Sequence, residues 1–509
     1  MNSEKSCRKN EGQVNKKLSR SDLKTALVVL PIKATPYQHQ IKAFEFVCSK
    51  FGLFKSNNTS KGTALLMEMG TGKTITTIAV IGALYAADKI KKVLIVAPLS
   101  IVGVWREEFE KFADFNYLVA ALSGAGTKKA DMLKKITGAG LNVVIVNYES
   151  AWRLEKELLE FDADIIVADE GHKIKTHNTK QSKSLHKLGA KAKYKMLLTG
   201  TVITNKAIDV FSQYKFVNPL VFGNSFYTFR NRYFDMVGYG NYTPVLKKSM
   251  GAELMARLHS IAFRVTKAEC LDLPATTDII RFVELEPSAA RVYRDLVKDS
   301  FAELQKGEVT VTNVLTRLLR LSQLTGGFIG DDDGNAPQRI STVKLSALED
   351  IIDDALNEGG KVVVIARFVA ELKAICKLIE SKKVKYSLIM GGVKEREEQV
   401  SQFQNDPEVQ VFVGQIATAG LGITLTAAST MVFYSLDYSM SNFEQTKARI
   451  HRVGQKENCT YIYLTAKGTV DEKVLIALQS KADLARTLVD DYKGGVNPFD
   501  VGGGEKNER

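Results

Sequence analysis

The chain has 509 residues, 45% of them hydrophobic, 25% charged and 8% aromatic; this is ordinary globular composition, about three domains by length, and it excludes a mainly disordered or collagen-like chain. With 70 Lys and Arg against 57 Asp and Glu, the formal net charge is +13, enough to attract polyanions by long-range field, nucleic acid foremost, although a basic surface also serves solubility alone. No apolar run approaches the roughly 20 residues of a spanning helix, and the scattered Cys7, Cys48, Cys270, Cys376 and Cys459 lack the spacing of a disulfide framework or zinc site, which fits a reducing, intracellular compartment.

Residues 1–30 are polar, Lys-rich and without an apolar signal core, so a disordered basic tail able to touch phosphates is expected, and secretion is not. From Pro31 to Asn205 short apolar runs (ALLM, KVLIVAPL, NVVIVNY, DIIVADE, YKMLLTG) alternate with amphipathic helical stretches. That alternation predicts a parallel sheet covered by helices on both faces. From Lys206 to Gly326 the pattern changes: ARLHSIAF, AARVYRDLVKDSFAEL and VTNVLTRLLRLSQL carry helical spacing with few strand signals. GDDDGNAPQ is a turn-rich break, after which KVVVIARF, KYSLIMGG, VQVFVGQ, STMVFYSL and CTYIYLTA restore the strand–helix rhythm. The predicted division is a tail (1–30), a first α/β lobe with a helical protrusion (31–275), a second α/β lobe with its own protrusion (276–490), and a Gly-rich flexible tail (491–509).

Met69-Gly70-Thr71-Gly72-Lys73-Thr74 stands between the strand-like ALLM and the helical ITTIAVIGALYAA. A Gly-rich turn in that place lets backbone N–H groups of Gly70, Thr71 and Gly72 converge on a phosphate at a helix N-terminus. Lys73 would bridge the β- and γ-phosphates of ATP, and the Thr74 hydroxyl would hold Mg²⁺. The P-loop pattern asks for Gly six residues before the Lys, where this chain has Met67. A second signal joins it: Asp169-Glu170-Gly171-His172 ends the run DIIVA, at a strand tip. Adjacent acids are commonly a solvated pair, but at the end of an apolar strand, on a chain with a P-loop, they fit nucleoside triphosphate hydrolysis. Asp169 would position the Mg²⁺ and Glu170 would act as general base on the attacking water.

These residues resemble the Swi/Snf-type ATPases of helicase superfamily two, in order, from Pro31 to about Leu484. Pro36-Tyr37-Gln38 looks like the Q motif, MGTGKT is motif I, APLSIVGVWREEFEKF resembles motif Ia with its Trp105 and Phe109, and VVIVNYES resembles motif Ib. DEGHKIK is similar to motif II, Thr199-Gly200-Thr201 to motif III, KVVVIARF to motif IV, and GQIATAGLGITLTAAS, with Gly420, Gly422 and Thr426, to motif V. EQTKARIHRVGQ, through Gln445 to Gln455, is a close match to motif VI. Val202 stands where the family has Pro, and Tyr438 where many members have Trp. The resemblance implies an α/β fold of two RecA-like parallel-sheet lobes in tandem, with helical protrusions inserted between motifs III and IV. It also implies that Gln38 reads adenine, that Gly422 and Gln445 join the nucleotide site, and that the partner is double-stranded DNA bound with little sequence preference.

Gln445, Arg449 and Arg452 sit at i, i+4 and i+7, which predicts one face of a helix. A basic helix face is commonly only exposed; beside a P-loop, these arginines would point across the cleft at the γ-phosphate held by the other lobe. ATP would then close the cleft, and hydrolysis reopen it. Hydroxyls such as Ser100, Tyr148 and Thr424 would contact the DNA backbone. The expected function is an ATP-dependent double-stranded DNA translocase that remodels protein–DNA complexes or branched DNA. The alternatives are a strand-separating helicase and, in another class, an ATP-switched DNA-binding scaffold without productive turnover.

Overall fold

The computed structural model describes residues 30–480 except 55, 57, 125, 137, 139, 201–206, 238–242, 307–310, 331–336, 394 and 420–421. The expected tails, before Leu30 and from 491 onward, lie outside the described residues, as do Thr201, Val202 and Gly420.

The first lobe contains β1 (Gly62–Met67), β2 (Lys92–Ala97), β3 (Tyr117–Ala121), β4 (Leu141–Asn147), β5 (Ile165–Asp169), β6 (Tyr194–Leu198), a hairpin of β7 (Phe234–Val237) and β8 (Thr243–Leu246), and β9 (Ala262–Val265). Its main sheet has the order β3-β4-β2-β5-β6-β1-β9, and its neighbouring strands are parallel. β2 shows what builds it. Leu94 and Val96 enter one core, whereas Val93, Ile95 and Ala97 enter another on the opposite face. A strand covered on both faces needs unbroken apolar residues, and each fully buried side chain contributes about 1.5–3 kcal/mol.

The second lobe repeats this plan with β10 (Thr276–Val283), a short hairpin of β11 (Phe328–Ile329) and β12 (Gln338–Arg339), then β13 (Val362–Ala366), β14 (Lys385–Ile389), β15 (Val409–Gln415), β16 (Thr430–Phe433) and β17 (Cys459–Ala466). The sheet order is β10-β17-β16-β13-β15-β14, again parallel throughout. Along β13, Val363 and Ile365 face one core and Val362, Val364 and Ala366 the other. The two RecA-like lobes are therefore each a sheet between two cores.

The protrusions grow from these cores. In the first lobe the helices Val210–Val217, Phe226–Tyr233 and Gly251–His259 surround the β7–β8 hairpin, and Phe222, Phe229 and Tyr233 meet edge-on or tilted with ring centroids 5.1–5.9 Å apart. In the second lobe the helices Pro287–Lys306 and Val311–Thr325 join one sheet core through Tyr293, Val314, Leu318, Leu321 and Leu324.

The helical reading of ARLHSIAF needs correction. The helix Gly251–His259 covers its first half only; Ala262–Val265 is β9, the edge strand beside β1. Four residues are too few to show a period, and pairing with β1 decides their conformation. β10 and β3 were likewise not distinguished as strands by pattern. β10 carries exposed residues over most of its length, so it lacks the apolar run of a covered strand.

Candidate active site

β1 ends at Met67 and the next helix starts at Lys73. The turn between them needs glycine at two positions. Gly70 has φ +82° and Gly72 φ +90°, in the left-handed region that side chains disfavour, and a Cβ on Gly72 would lie 2.2 Å from Gln40 Nε2. Thr71 folds inward, its hydroxyl and N–H both donating to the Glu68 carbonyl at 2.7 and 3.3 Å. Its own carbonyl meets His39 Nε2 at 2.7 Å and accepts from Gln40 Nε2 at 3.3 Å. Lys73 Nζ donates to the Met67 carbonyl at 2.9 Å. Met67 itself is buried in the sheet core, so the position where the P-loop pattern asks for Gly belongs to the strand.

β5 delivers Asp169 and Glu170 to the same end of the sheet. Trp105 Nε1 donates to Asp169 Oδ2 and the Glu170 N–H to Asp169 Oδ1, each at 2.8 Å, so both carboxylate oxygens are aimed. Glu170 adopts φ 51°, ψ 55°, strain of the kind that persists where surroundings over-determine a residue. Its Oε2 lies 3.2 Å from His172 Nδ1. Burial, and then the neighbouring Glu170 charge, push Asp169 up to about 6 against the pull of Trp105 and Lys73. Burial also acts to raise Glu170, but the His172 hydrogen bond, Lys73 and Arg449 outweigh it and hold this carboxyl below its ordinary range.

Lobe two contributes the helix Met440–Lys447 and the turns after it. The expectation that Gln445, Arg449 and Arg452 share one helix face is corrected here: the helix ends at Lys447, and both arginines lie on the following turns. Leu425 N–H takes the Arg449 carbonyl at 3.0 Å, and Gln455 Nε2 takes that of Ile450 at 3.1 Å, so the backbone is drawn out of the helical ladder. The three side chains nevertheless reach one cavity. Arg449 and Arg452 each donate an Nη1 to the Ile423 carbonyl at 3.3 Å. Burial and the adjacent Arg452 lower Arg449 to about 10, with Glu170 opposing; burial lowers Arg452, with Glu108 opposing.

The cavity, about 410 Å³, lies between the lobes. Gly70, Gly72, Lys73, Thr74, Asp169 and Glu170 line it from lobe one, and Gly422, Gln445, Arg449 and Arg452 from lobe two. Two expected binding residues are not in its wall. Thr71 is buried beneath the turn, bracing it, with its N–H already donated to Glu68. Gln38 is exposed on the first turn of its helix, while Gln40, about 200° round that helix, is buried and lines the cavity with Tyr37. Tyr148, expected to touch a nucleic-acid backbone, is buried and donates its hydroxyl to the Asp169 carbonyl at 2.7 Å. His451 Nε2 meets the Pro274 carbonyl at 2.9 Å. Pattern reading did not single out Glu108 and Lys111, which line the cavity one and nearly two turns beyond Trp105 on the same helix. Their helical spacing from Trp105 was the available signal.

Chemically, the wall suits a polyanion carrying a hard cation. Lys73, Lys111, Arg449 and Arg452 face Asp169, Glu170 and Glu108. Among the described residues no cluster of three or more His, Cys, Asp or Glu could hold a metal alone. Mg²⁺ needs no such cluster, because it keeps waters and shares phosphate oxygens with one or two protein groups; Thr74 and Asp169 fit that part. No helix among the described residues is long and apolar enough to cross a membrane.

The SNF2-related domain family matches residues 39–326, and the helicase conserved C-terminal domain family matches residues 343–454. The chain is similar to the DNA repair and recombination protein RDH54 of Saccharomyces cerevisiae (strain JAY291), 27% identical over 500 residues, which cover 87% of this chain and 53% of that protein. It is also similar to the DNA repair and recombination protein RAD54-like of Gallus gallus, 27% identical over 501 residues covering 87% and 66%. The chain thus spans about half the length of the first of these relatives. Among solved structures, the Sulfolobus solfataricus SWI2/SNF2 ATPase core in complex with dsDNA aligns at 28% identity with a TM-score of 0.44, over 92% of this chain and 96% of that one.

Proposed function

The chain belongs to the SNF2-related family, whose match covers more than half of it, and we propose that it is an ATP-dependent translocase on double-stranded DNA that remodels protein–DNA complexes or branched DNA. The observation that carries this reading is the divided cavity, with Lys73, Asp169 and Glu170 on one lobe and Arg449 and Arg452 on the other. The triphosphate lies on the Gly70–Lys73 turn, at the N-terminus of the helix Lys73–Ala86, where backbone N–H groups and Lys73 meet it. Thr74 and Asp169 would hold a magnesium ion, which would neutralise phosphate charge. Water attacks the γ-phosphorus, the bond from γ-phosphorus to the bridging oxygen breaks, and Glu170 takes the water's proton. Arg449 and Arg452 face the charge that develops on the transferred group.

Because neither lobe holds a whole site, nucleotide binding favours closure and product release favours opening. A protein that grips a DNA backbone with both lobes moves along it through such a cycle. A net charge of +13 and relatives named for DNA repair and recombination support DNA as the track, and hence work inside the cell. The test is steady-state ATPase without nucleic acid and with single-stranded DNA, duplex DNA, forked DNA or RNA. Duplex DNA should stimulate most, and triplex displacement should require ATP. Turnover indifferent to DNA removes the translocase reading. Unwinding of forks without triplex displacement makes the protein a strand-separating helicase, and ATP binding with no turnover makes it a switched scaffold.

A further inference from the structure

We propose that Lys267 and His451 are positioning residues that clamp the arginine-bearing turns of lobe two to the inter-lobe connection, so that the hinge and the two arginines move as one body. This rests on reading the divided cavity as the ATP site. The connection leaves β9 at Thr266 and enters β10 at Thr276. At its start the Lys267 N–H donates to Glu68 Oε2 at 2.8 Å, tying it to the Gly turn. At its end Ala275 exchanges two bonds with lobe two: its N–H donates to Asn458 Oδ1 at 3.0 Å, and its carbonyl accepts from the Cys459 N–H at 2.9 Å.

Between these anchors the connection grips His451 at both ends. Lys267 Nζ donates to the His451 carbonyl at 3.0 Å, and His451 Nε2 lies 2.9 Å from the Pro274 carbonyl. A carbonyl can only accept, so Nε2 carries the proton and donates. His451 falls between Arg449 and Arg452 in sequence, and a displacement of its backbone displaces both. The Lys267 stem also packs on the Gly turn: a Cβ on Gly70 would lie 3.7 Å from Lys267 Cε and 3.6 Å from Arg452 Cβ. One glycine thus seats a residue from each lobe.

The electrostatics fit a strut rather than a casual contact. Burial lowers Lys267; Glu68 and Glu444 stabilise its charge, while Arg452 and Arg449 oppose it. An ammonium held near two guanidiniums is unfavourable alone, and an anion between the lobes relieves all three. A passive linker would need no polar contact with the turns that carry the arginines. This connection holds one residue of those turns by its main chain and its side chain.

The experiment uses the full chain with Lys267→Met, which keeps length and removes the donor, with Lys267→Arg, with His451→Leu, and with the Met/Leu double variant. Dyes at exposed Lys89 and Lys377, one per lobe, report lobe separation. Lys267→Met should lower kcat by about 10²-fold, the scale of a displaced catalytic group, while KM for ATP changes by less than about threefold. Its closed population with a non-hydrolysable ATP analogue should shrink. Lys267→Arg should recover most of the turnover, and the double variant should be no worse than the worse single, because both break one clamp. The clamp is refuted if the lobe-distance distribution is unchanged in both single variants, if KM rises with kcat intact, or if the two losses multiply. If the wild-type chain does not turn over ATP, the functional reading fails; the nucleotide-free distance distribution, broader in Lys267→Met if the clamp exists, still decides this proposal. Should Lys267→Met fail to fold, His451→Leu and Lys267→Arg carry the same comparison.

Discussion

On the lobe-one side of the cavity, Asp169 accepts from Trp105 Nε1 and from the Glu170 N–H at 2.8 Å, Lys73 donates to the Met67 carbonyl at 2.9 Å, and beneath the turn Thr71 donates to the Glu68 carbonyl at 2.7 Å. On the lobe-two side, Arg449 and Arg452 both donate to the Ile423 carbonyl at 3.3 Å, and burial disfavours both charges, with the Arg452 charge adding to the effect on Arg449. Lobe one is organised by its own fold. Lobe two presents its cations toward the lobe-one carboxylates Glu170 and Glu108, which favour the charged forms of Arg449 and Arg452. The difference teaches where regulation can act: a change in lobe separation leaves the lobe-one geometry intact and removes only the arginines.

The largest way to break this asymmetry is Arg452→Ala, for which kcat should fall by about 10³–10⁵ while a fluorescent ATP analogue still binds. Weakened binding with unchanged single-turnover rate would show that Arg452 serves the ground state. Next comes Glu170→Gln, expected to cost about 10²–10⁴ in kcat as loss of the proton acceptor, again with ATP retained. Rate-quench measurements at saturating ATP check both. Trp105→Phe probes the lobe-one brace: the ring stays and the N–H to Asp169 goes. Loss of an orienting partner should lower activity by about 10–100-fold and raise the magnesium concentration needed for half-maximal turnover. An unchanged magnesium dependence would mean that the indole serves packing alone.

These variants also mark what could be read from residues alone. β2, β4 and β5 were legible because both their faces are covered, which forces continuous apolar runs. β9 was not, because four residues at a sheet edge carry no period and their conformation comes from pairing with β1. The acids were legible as a pair at a strand tip, whereas the Trp105 bond to Asp169 spans 64 residues and leaves no local trace. The arginines were legible in identity but not in shape, since their helix ends at Lys447 and the Arg449 carbonyl is taken by the N–H of Leu425, distant in sequence. Spacing can propose a face, but only tertiary contacts decide whether the helix persists to carry it.

The smallest expected effect sharpens the comparison inside lobe one. Pro36-Tyr37-Gln38-His39-Gln40 offers two glutamines, and packing distinguishes them. Gln40 lines the cavity, accepts the Tyr37 N–H at 3.0 Å and donates to the Thr71 carbonyl at 3.3 Å. It thereby joins the residues beside the cavity to the phosphate turn. Gln38 is exposed. Removing the Gln40 amide deletes neutral hydrogen bonds worth about 0.5–1.5 kcal/mol each, so Gln40→Ala should raise the KM for ATP by about three- to tenfold. Gln38→Ala, an exposed change, should alter it by less than about twofold. Comparing ATP with GTP in both variants separates base reading from turn support. If Gln40 only braces the turn, both nucleotides weaken equally; if it reads the base, the preference between them narrows. A larger effect from Gln38→Ala would mean that the helix Gln38–Lys50 rotates when nucleotide binds, and that lobe one is less fixed in advance than its hydrogen bonds indicate.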